Sequence, residues 1–184
     1  FSWTPSDTGN YNLKIISALA TDQFRTDDTV SANVIVFPPG VITSCIGTGT
    51  IGRTFPFTTI YTDSKTDMLY TAAEIGTGIG TIWKIGYDIV TASPQVMNGF
   101  KVKMRNTTDT AISSFTLTGW KEVFSSNYTI PGTGIQYITL NTPFAYDGTN
   151  LLIEICFNNS SIYDTSSSTV ATTTASGRCV QHYY

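Results

Sequence analysis

Residues 45–88 read CIGTGTIGRTFPFTTIYTDSKTDMLYTAAEIGTGIGTIWKIGYD, and this stretch decides the fold. A Gly/Thr loop opens it, and a short aromatic strand is predicted over Phe55 to Tyr61. A polar turn follows, then MLYTAAEI, a second Gly-rich loop and a strand from Ile82 to Asp88. In that strand Ile82, Lys84, Gly86 and Asp88 oppose Trp83, Ile85 and Tyr87, the two-residue period of a sheet. Ser64-x-x-Asp67 suits the cap of one helical turn through Ala72, Ala73 and Glu74, the only helix expected.

The same alternation continues toward the C-terminus. Asn98-Gly99 is a hairpin signal. After it Phe100, Val102 and Met104 alternate with Lys101, Lys103 and Arg105, a half-buried strand. Strands are expected over Phe115 to Phe124, Gln136 to Leu140, and Leu151 to Phe157, the last apolar enough for the centre of a sheet. Turns fall at Ser125-Ser126-Asn127, Pro131-Gly132-Thr133-Gly134 and Asp147-Gly148. A Thr-rich edge strand over Ser168 to Thr174 and a last strand over Cys179 to Tyr184 close the pattern. Such spacing predicts an all-β, antiparallel β-sandwich. Its core should hold Phe57, Leu69, Ile85, Phe100, Val102, Met104, Leu117, Ile138, Leu140, Ile153 and Ile155.

Working toward the N-terminus, Pro38-Pro39-Gly40 is a stiff break and the best domain boundary. It divides a module over residues 41–184 from a segment over residues 1–37. In the segment Tyr11, Leu13 and Ile15 form one strand, and Val30, Ala32, Val34 and Val36 alternate on another. Asp22, Asp27 and Asp28 mark the turn between them. Two strands alone are marginal in water. Tyr11, Leu13, Ile15, Val30, Val34 and Val36 are therefore expected to pair with another subunit.

The words PF-x-x-x-Y-x-D from Pro56, MLYTAAEI, and I-x-x-I-G-Y-D from Ile82 are similar to a β-sandwich module, jelly-roll-like in type, of secreted and cell-surface proteins of Bacteroidetes-type bacteria. The resemblance extends through MNGFKVKMRNTT, GW, PGTGIQYITLNTPFAYDGT and NLLIEICF, covering roughly Cys45 to Phe157. The N-terminal words Trp3-x-Pro5-x-x-x-Gly9-x-Tyr11 and Asp27-Asp28 resemble the last part of an immunoglobulin-like domain. These resemblances imply an extracellular or cell-surface setting. They also imply that the immunoglobulin-like part is without its front strands and that the sandwich module is without a closing strand.

The bulk numbers narrow the function. The 184 residues are 41% hydrophobic but only 12% charged, with a net charge of −3. No basic run exists, which argues against nucleic acid, and no apolar run reaches the roughly 18 residues of a membrane span. The chain begins at Phe1 without Met and reads as a processed or cut product. Three cysteines suggest an oxidising compartment. Cys156 and Cys179 are the candidate disulfide, tying the central strand to the tail and stabilising by about 3 kcal/mol; two buried thiols are the alternative. Cys45 is then left over, free or bonded to another chain.

No catalytic, cofactor or metal site is expected, and the protein reads as a non-enzyme. His182 is the only histidine and has no nucleophile elbow beside it. Asp63 and Asp67 lack the alternating oxygens of a calcium loop. Glu74, Glu122 and Glu154 show no glycosidase spacing. The Lys101, Lys103, Arg105 stripe reads as a solvated face. Trp3, Trp83, Trp120 and the tyrosines suit a core more than a sugar-stacking platform. Asn106, Asn127, Asn158 and Asn159 match the glycosylation sequon. The leading expectation is a structural subunit of an extracellular filament, a head-to-tail homopolymer built by donor-strand complementation. The alternative is a non-catalytic glycan- or surface-binding module of a larger secreted protein.

Overall fold

The computed structural model describes residues 3–7, 9–16, 29–36 and 41–183. The expected turn at Asp22, Asp27 and Asp28 and the Pro38-Pro39-Gly40 linker lie outside the described residues. The chain divides into two units, Phe1–Thr43 and Ser44–Tyr184.

The first unit is an antiparallel pair, β1 (Gly9–Ile16) and β2 (Thr29–Val36). Tyr11 lies opposite Val34, Leu13 opposite Ala32 and Ile15 opposite Val30. Directly opposed residues share a face, so one side of the hairpin is apolar along its length. Trp3 covers one end of it, its ring 5.1 Å from that of Tyr11. At the other end Ile15 and Val30 are each 66% exposed. The opposite side carries Asn12, Lys14, Ser31 and Asn33, with Asn12 Nδ2 donating to Asn33 Oδ1 at 2.8 Å, and ends in Ile16.

The second unit contains β3 (Ile51–Arg53), β4 (Asp63–Tyr70), α1 (Ala72–Ile75), β5 (Gly80–Thr91), β6 (Met97–Thr107), β7 (Lys121–Tyr128), β8 (Gly134–Tyr146), β9 (Asn150–Asn158), β10 (Ser168–Ala171) and β11 (Cys179–Tyr183). The strands form a four-stranded sheet, β3-β10-β5-β8, and a five-stranded sheet, β11-β4-β9-β6-β7. Every described pairing is antiparallel. From β3 to β10 the chain crosses between the layers at every step except the β6–β7 pair, the order of a jelly roll, with β11 added beside β4. The all-β sandwich expected from the alternation is therefore the fold.

The core fills the space between the layers. Phe100, Val102 and Met104 of β6 and Leu151, Ile153, Ile155 and Phe157 of β9 meet Ile89 of β5 and Ile138, Leu140, Phe144 and Tyr146 of β8. Of the expected core, Ile85 is only half-buried, and Leu117 is 85% exposed. Leu117 fails because residues 108–120 form a loop rather than the front half of a strand; β7 starts at Lys121.

Other local expectations are corrected by where backbone groups find partners. Phe55 to Tyr61 is not a strand. Ser166 Oγ accepts from the Thr59 amide at 2.9 Å, and Thr59 Oγ1 donates to Thr165 O at 2.7 Å. These bonds satisfy the segment without a ladder and leave Phe57 buried against Tyr87 and Phe100. The polar run Asp63 to Asp67, expected as a turn, is the first half of β4 between β11 and β9. The helical turn exists, but Thr71 caps it: Thr71 Oγ1 accepts from the Glu74 amide while Glu74 Oε2 accepts from the Thr71 amide at 2.8 Å. Asn98-Gly99 is a bulge inside β6 rather than a hairpin turn. Asn159 Oδ1 and Asn127 Oδ1 take the two amides that the bulge releases, and Gly99 sits at φ +60°. Ser125, Ser126 and Asn127 continue β7 instead of turning. Strand β10 is internal, between β3 and β5.

Candidate functional site

The expected bridge between Cys156 and Cys179 does not form. All three are free thiols. Cys156 pairs with Lys65 on one edge of β4, and Cys179 pairs with Met68 on the other. Two strands over is about 9.5 Å, beyond the roughly 4.4–6.8 Å between Cα atoms that a disulfide needs. The two also point to opposite faces, since Lys65 is on the outer side of β4 and Met68 packs on the core. Cys156 is half-buried and Cys179 exposed, and partial desolvation beside the sheet raises the pKa of both thiols. Cys45 is exposed.

Among the sequon asparagines, Asn158 and Asn127 are exposed and Asn106 is half-buried, with Nδ2 donating to Ala145 O at 3.0 Å. Asn159 is buried and holds the β6 bulge, so a glycan there requires that bulge to open. Asn106 also borders a shallow polar recess of about 290 Å³ that includes Arg105, Asp109 and Asp147. The acids of that recess are engaged locally. Thr107 Oγ1 donates to Asp109 Oδ2 at 2.6 Å, and the Thr149 amide donates to Asp147 Oδ1 at 2.9 Å.

The outer face of the five-stranded sheet carries a charge cluster. Asp67 of β4 lies directly opposite Glu154 of β9, and Glu154 directly opposite Lys103 of β6. Glu154 is 1% exposed, with Lys65 Nζ 2.8 Å from Oε2 and Lys103 Nζ 2.7 Å from Oε1. Desolvation works against its charged form, but the hydrogen bonds from Lys103 and Lys65 outweigh it and lower its pKa. No described cation forms an ion pair with Asp67, and the more distant Lys65 only partly offsets its burial. Burial, together with the neighbouring Glu154 carboxylate, pushes it up to about 6. The cover is the loop over residues 108–120. The Thr116 amide donates to Asp67 Oδ2 at 3.1 Å, and the Phe115 ring centre lies 4.8 Å from Lys65 Nζ. Ile112 and Trp120 pack on Leu69, Leu152 and Val180. The expected solvated Lys101, Lys103, Arg105 stripe is in part this ladder, with Lys101 also 3.0 Å from Glu122. The signal in the sequence was Glu154 itself, one acid inside an apolar central strand, because a buried charge demands a partner.

The outer face of the four-stranded sheet is of another kind. Lys84, Gly86 and Asp88 of β5 lie opposite Thr139, Tyr137 and Ile135 of β8. Their neighbours Ile85, Tyr87, Ile89 and Ile138 face the core, so these six face outward. A bulge between Ile82 and Lys84 places Trp83 on the same outer side, 60% exposed. Tyr137 is 38% exposed, and Ile135 and Val90 add exposed apolar surface. At Gly86 a β-carbon would stand 2.9 Å from Cδ1 and Cε1 of Tyr137, so the ring edge occupies the space that glycine leaves empty. Reading the tryptophans and tyrosines as core missed this face. Gly86 in the middle of an alternating strand was the available signal, since such a glycine marks a close approach.

Among the described residues no group of three or more His, Cys, Asp or Glu could hold a metal ion, and no helix is long and apolar enough to cross a membrane. No protein-family model matches the chain, and neither a curated protein nor a solved structure matches it.

Proposed function

We propose that this chain is a non-catalytic binding module of a secreted, surface-located protein. The jelly roll binds through the outer face of its four-stranded sheet. One observation carries the reading: Trp83, Tyr137, Ile135 and Val90 are exposed together on a face that no described loop of the jelly roll covers. Exposed large apolar side chains gathered on one face mark interaction sites, whereas scattered ones do not. The cross-strand carboxylate pair Asp67 and Glu154 lies instead beneath residues 108–120, away from any ligand. The low charge and hydroxyl-rich composition suit recognition of uncharged surfaces. The test is an array of printed glycans probed with the full chain. Saturable binding to a subset is expected, and a blank array at high protein concentration counts against the reading.

A second reading, the filament subunit, is favoured by the β1–β2 hairpin. Its apolar face ends in exposed Ile15 and Val30, and its occupant would be the sheet of a second copy. Strands β3 to β10 already complete a jelly roll, so the acceptor would be an open sheet edge or a partner hairpin rather than a missing strand. Negative-stain images and sedimentation of the chain should then show polymers. The double substitution Ile15→Asp and Val30→Asp should dissolve them. A monomer at every concentration rules the filament out.

A further inference from the structure

We propose that Tyr137 and Trp83 form a stacking platform for a neutral polysaccharide, with pyranose rings laid along β5. This deepens the binding-module reading and rests on it. The platform has three parts that the sequence separates and the sheet brings together.

The first is a ring seated close against the sheet. Tyr137 stands on Gly86 with its Cδ1–Cε1 edge where a side chain would otherwise be. A ring seated against the backbone has less freedom to lose on binding than one that projects into water. The second is another ring at a distance. Trp83 precedes Gly86 by three residues on the neighbouring strand, roughly 10 Å along the sheet. That spacing suits different sugar rings of one chain rather than a single ring. The third is the polar flank. Lys84 and Asp88 sit on either side of Gly86 on the same face, and Thr139 lies opposite Lys84. Among the described residues neither Lys84 nor Asp88 belongs to an ion pair.

A pyranose has an apolar C–H face and a rim of hydroxyls. The rings offer the first a surface, and the ammonium, carboxylate and hydroxyl offer the second donors and acceptors. One cation and one anion leave the face without net charge, which fits a neutral chain and not an acidic one. A protein partner fits less well. A stable protein interface covers about 800 Å² per side around an apolar centre, whereas here single charges interrupt the apolar groups.

The test is affinity gel electrophoresis of the full chain. The gels contain mixed-linkage β-glucan, xylan or galactomannan, with polygalacturonate as the acidic control. At least one neutral polysaccharide should retard the chain. Tyr137→Ala and Trp83→Ala should each weaken retardation roughly tenfold, the scale of losing one stacked ring. Tyr137→Phe, which keeps the ring, should weaken retardation less than Tyr137→Ala. Gly86→Ala, which leaves both rings present but displaces one, should weaken binding by less than Tyr137→Ala. Circular dichroism of each variant verifies the fold. Retardation unchanged in both alanine variants overturns the platform while leaving the module reading standing. Retardation by polygalacturonate alone overturns it on charge. No retardation in any gel overturns it, and a blank glycan array in addition removes the module reading. Concentration-dependent self-association abolished by Trp83→Ala assigns the face to a second copy and overturns the polysaccharide.

Discussion

The two outer faces of the jelly roll divide polarity against the usual rule. On the five-stranded sheet the outer face holds Lys65, Asp67, Lys103 and Glu154, yet Asp67 and Glu154 are among the most buried residues of the chain. On the four-stranded sheet the outer face holds Trp83, Ile135 and Tyr137, and all three are exposed. Charged residues are normally outside and large apolar ones inside. The inversion has one physical source. The loop over residues 108–120 closes one face through Ile112 and Trp120, and no described loop of the jelly roll closes the other. Alternation along a strand tells which residues share a face. It does not tell whether that face meets water.

The largest test of this contrast is a matched pair of truncations. Leu152 is fully buried on the outer side of β9, beneath the loop. Leu152→Ala should cost about 2–5 kcal/mol in urea unfolding, as for a core leucine. Val90→Ala, on the outer side of β5, should change stability by no more than about 0.5 kcal/mol. Equal costs at the two positions would mean that the loop does not seal its face.

A smaller effect, but a more specific one, concerns Asp67. Its folded pKa of about 6 is raised above the usual carboxyl value of 3.8. The protonated form is therefore bound more tightly in the folded state. The stability it contributes is complete below about pH 4 and is lost as pH rises through about 6. Glu154 runs the other way: its lowered pKa contributes stability above the usual glutamate value of 4.5, and that contribution fades as pH falls through the folded pKa. Asp67→Asn keeps an acceptor for the Thr116 amide and supplies a donor toward Glu154 at every pH. At pH 8 the variant should be more stable than the parent by about 1–3 kcal/mol, at 1.36 kcal/mol per pKa unit. At pH 4 the difference should vanish. Urea unfolding at the two pH values measures it, and a difference independent of pH would place Asp67 in contact with water.

How much of this was legible before the structure differs by scale. The central strands were plain, because LLIEICF and FKVKM put most of their apolar residues on one side of an alternation and the core uses that side. Segments whose partners are side chains were not. Phe55 to Tyr61 alternates aromatically but is satisfied by Ser166 and Thr165, which lie more than a hundred residues away. Asp63 to Asp67 reads as a turn because its polar groups look solvated, and it becomes a strand because Glu154 and Thr116 answer them. Asn98-Gly99 carries hairpin chemistry but is absorbed as a bulge by Asn127 and Asn159. The binding face was hidden for a related reason: aromatic residues carry no mark of which sheet face stays uncovered.

The smallest effect on stability is expected at Gly86, where the contrast between the faces can be read from one methyl group. Gly86 lies in β5, so alanine meets no backbone penalty and gains about 0.5–1 kcal/mol through lower flexibility of the unfolded chain. Against this, the new β-carbon would stand 2.9 Å from two atoms of the Tyr137 ring. What the contact costs depends on whether the ring can move. Under a cover such as the 108–120 loop it could not, and overpacking would cost about 1–3 kcal/mol. On an open face the ring swings away, and the two contributions nearly cancel. Gly86→Ala should therefore unfold within about 0.5 kcal/mol of the parent. Nitration by tetranitromethane, which modifies exposed tyrosines, should meanwhile proceed faster at Tyr137 as its ring leaves the sheet. A loss above about 2 kcal/mol with unchanged nitration would show a wedged ring, and with it a covered face.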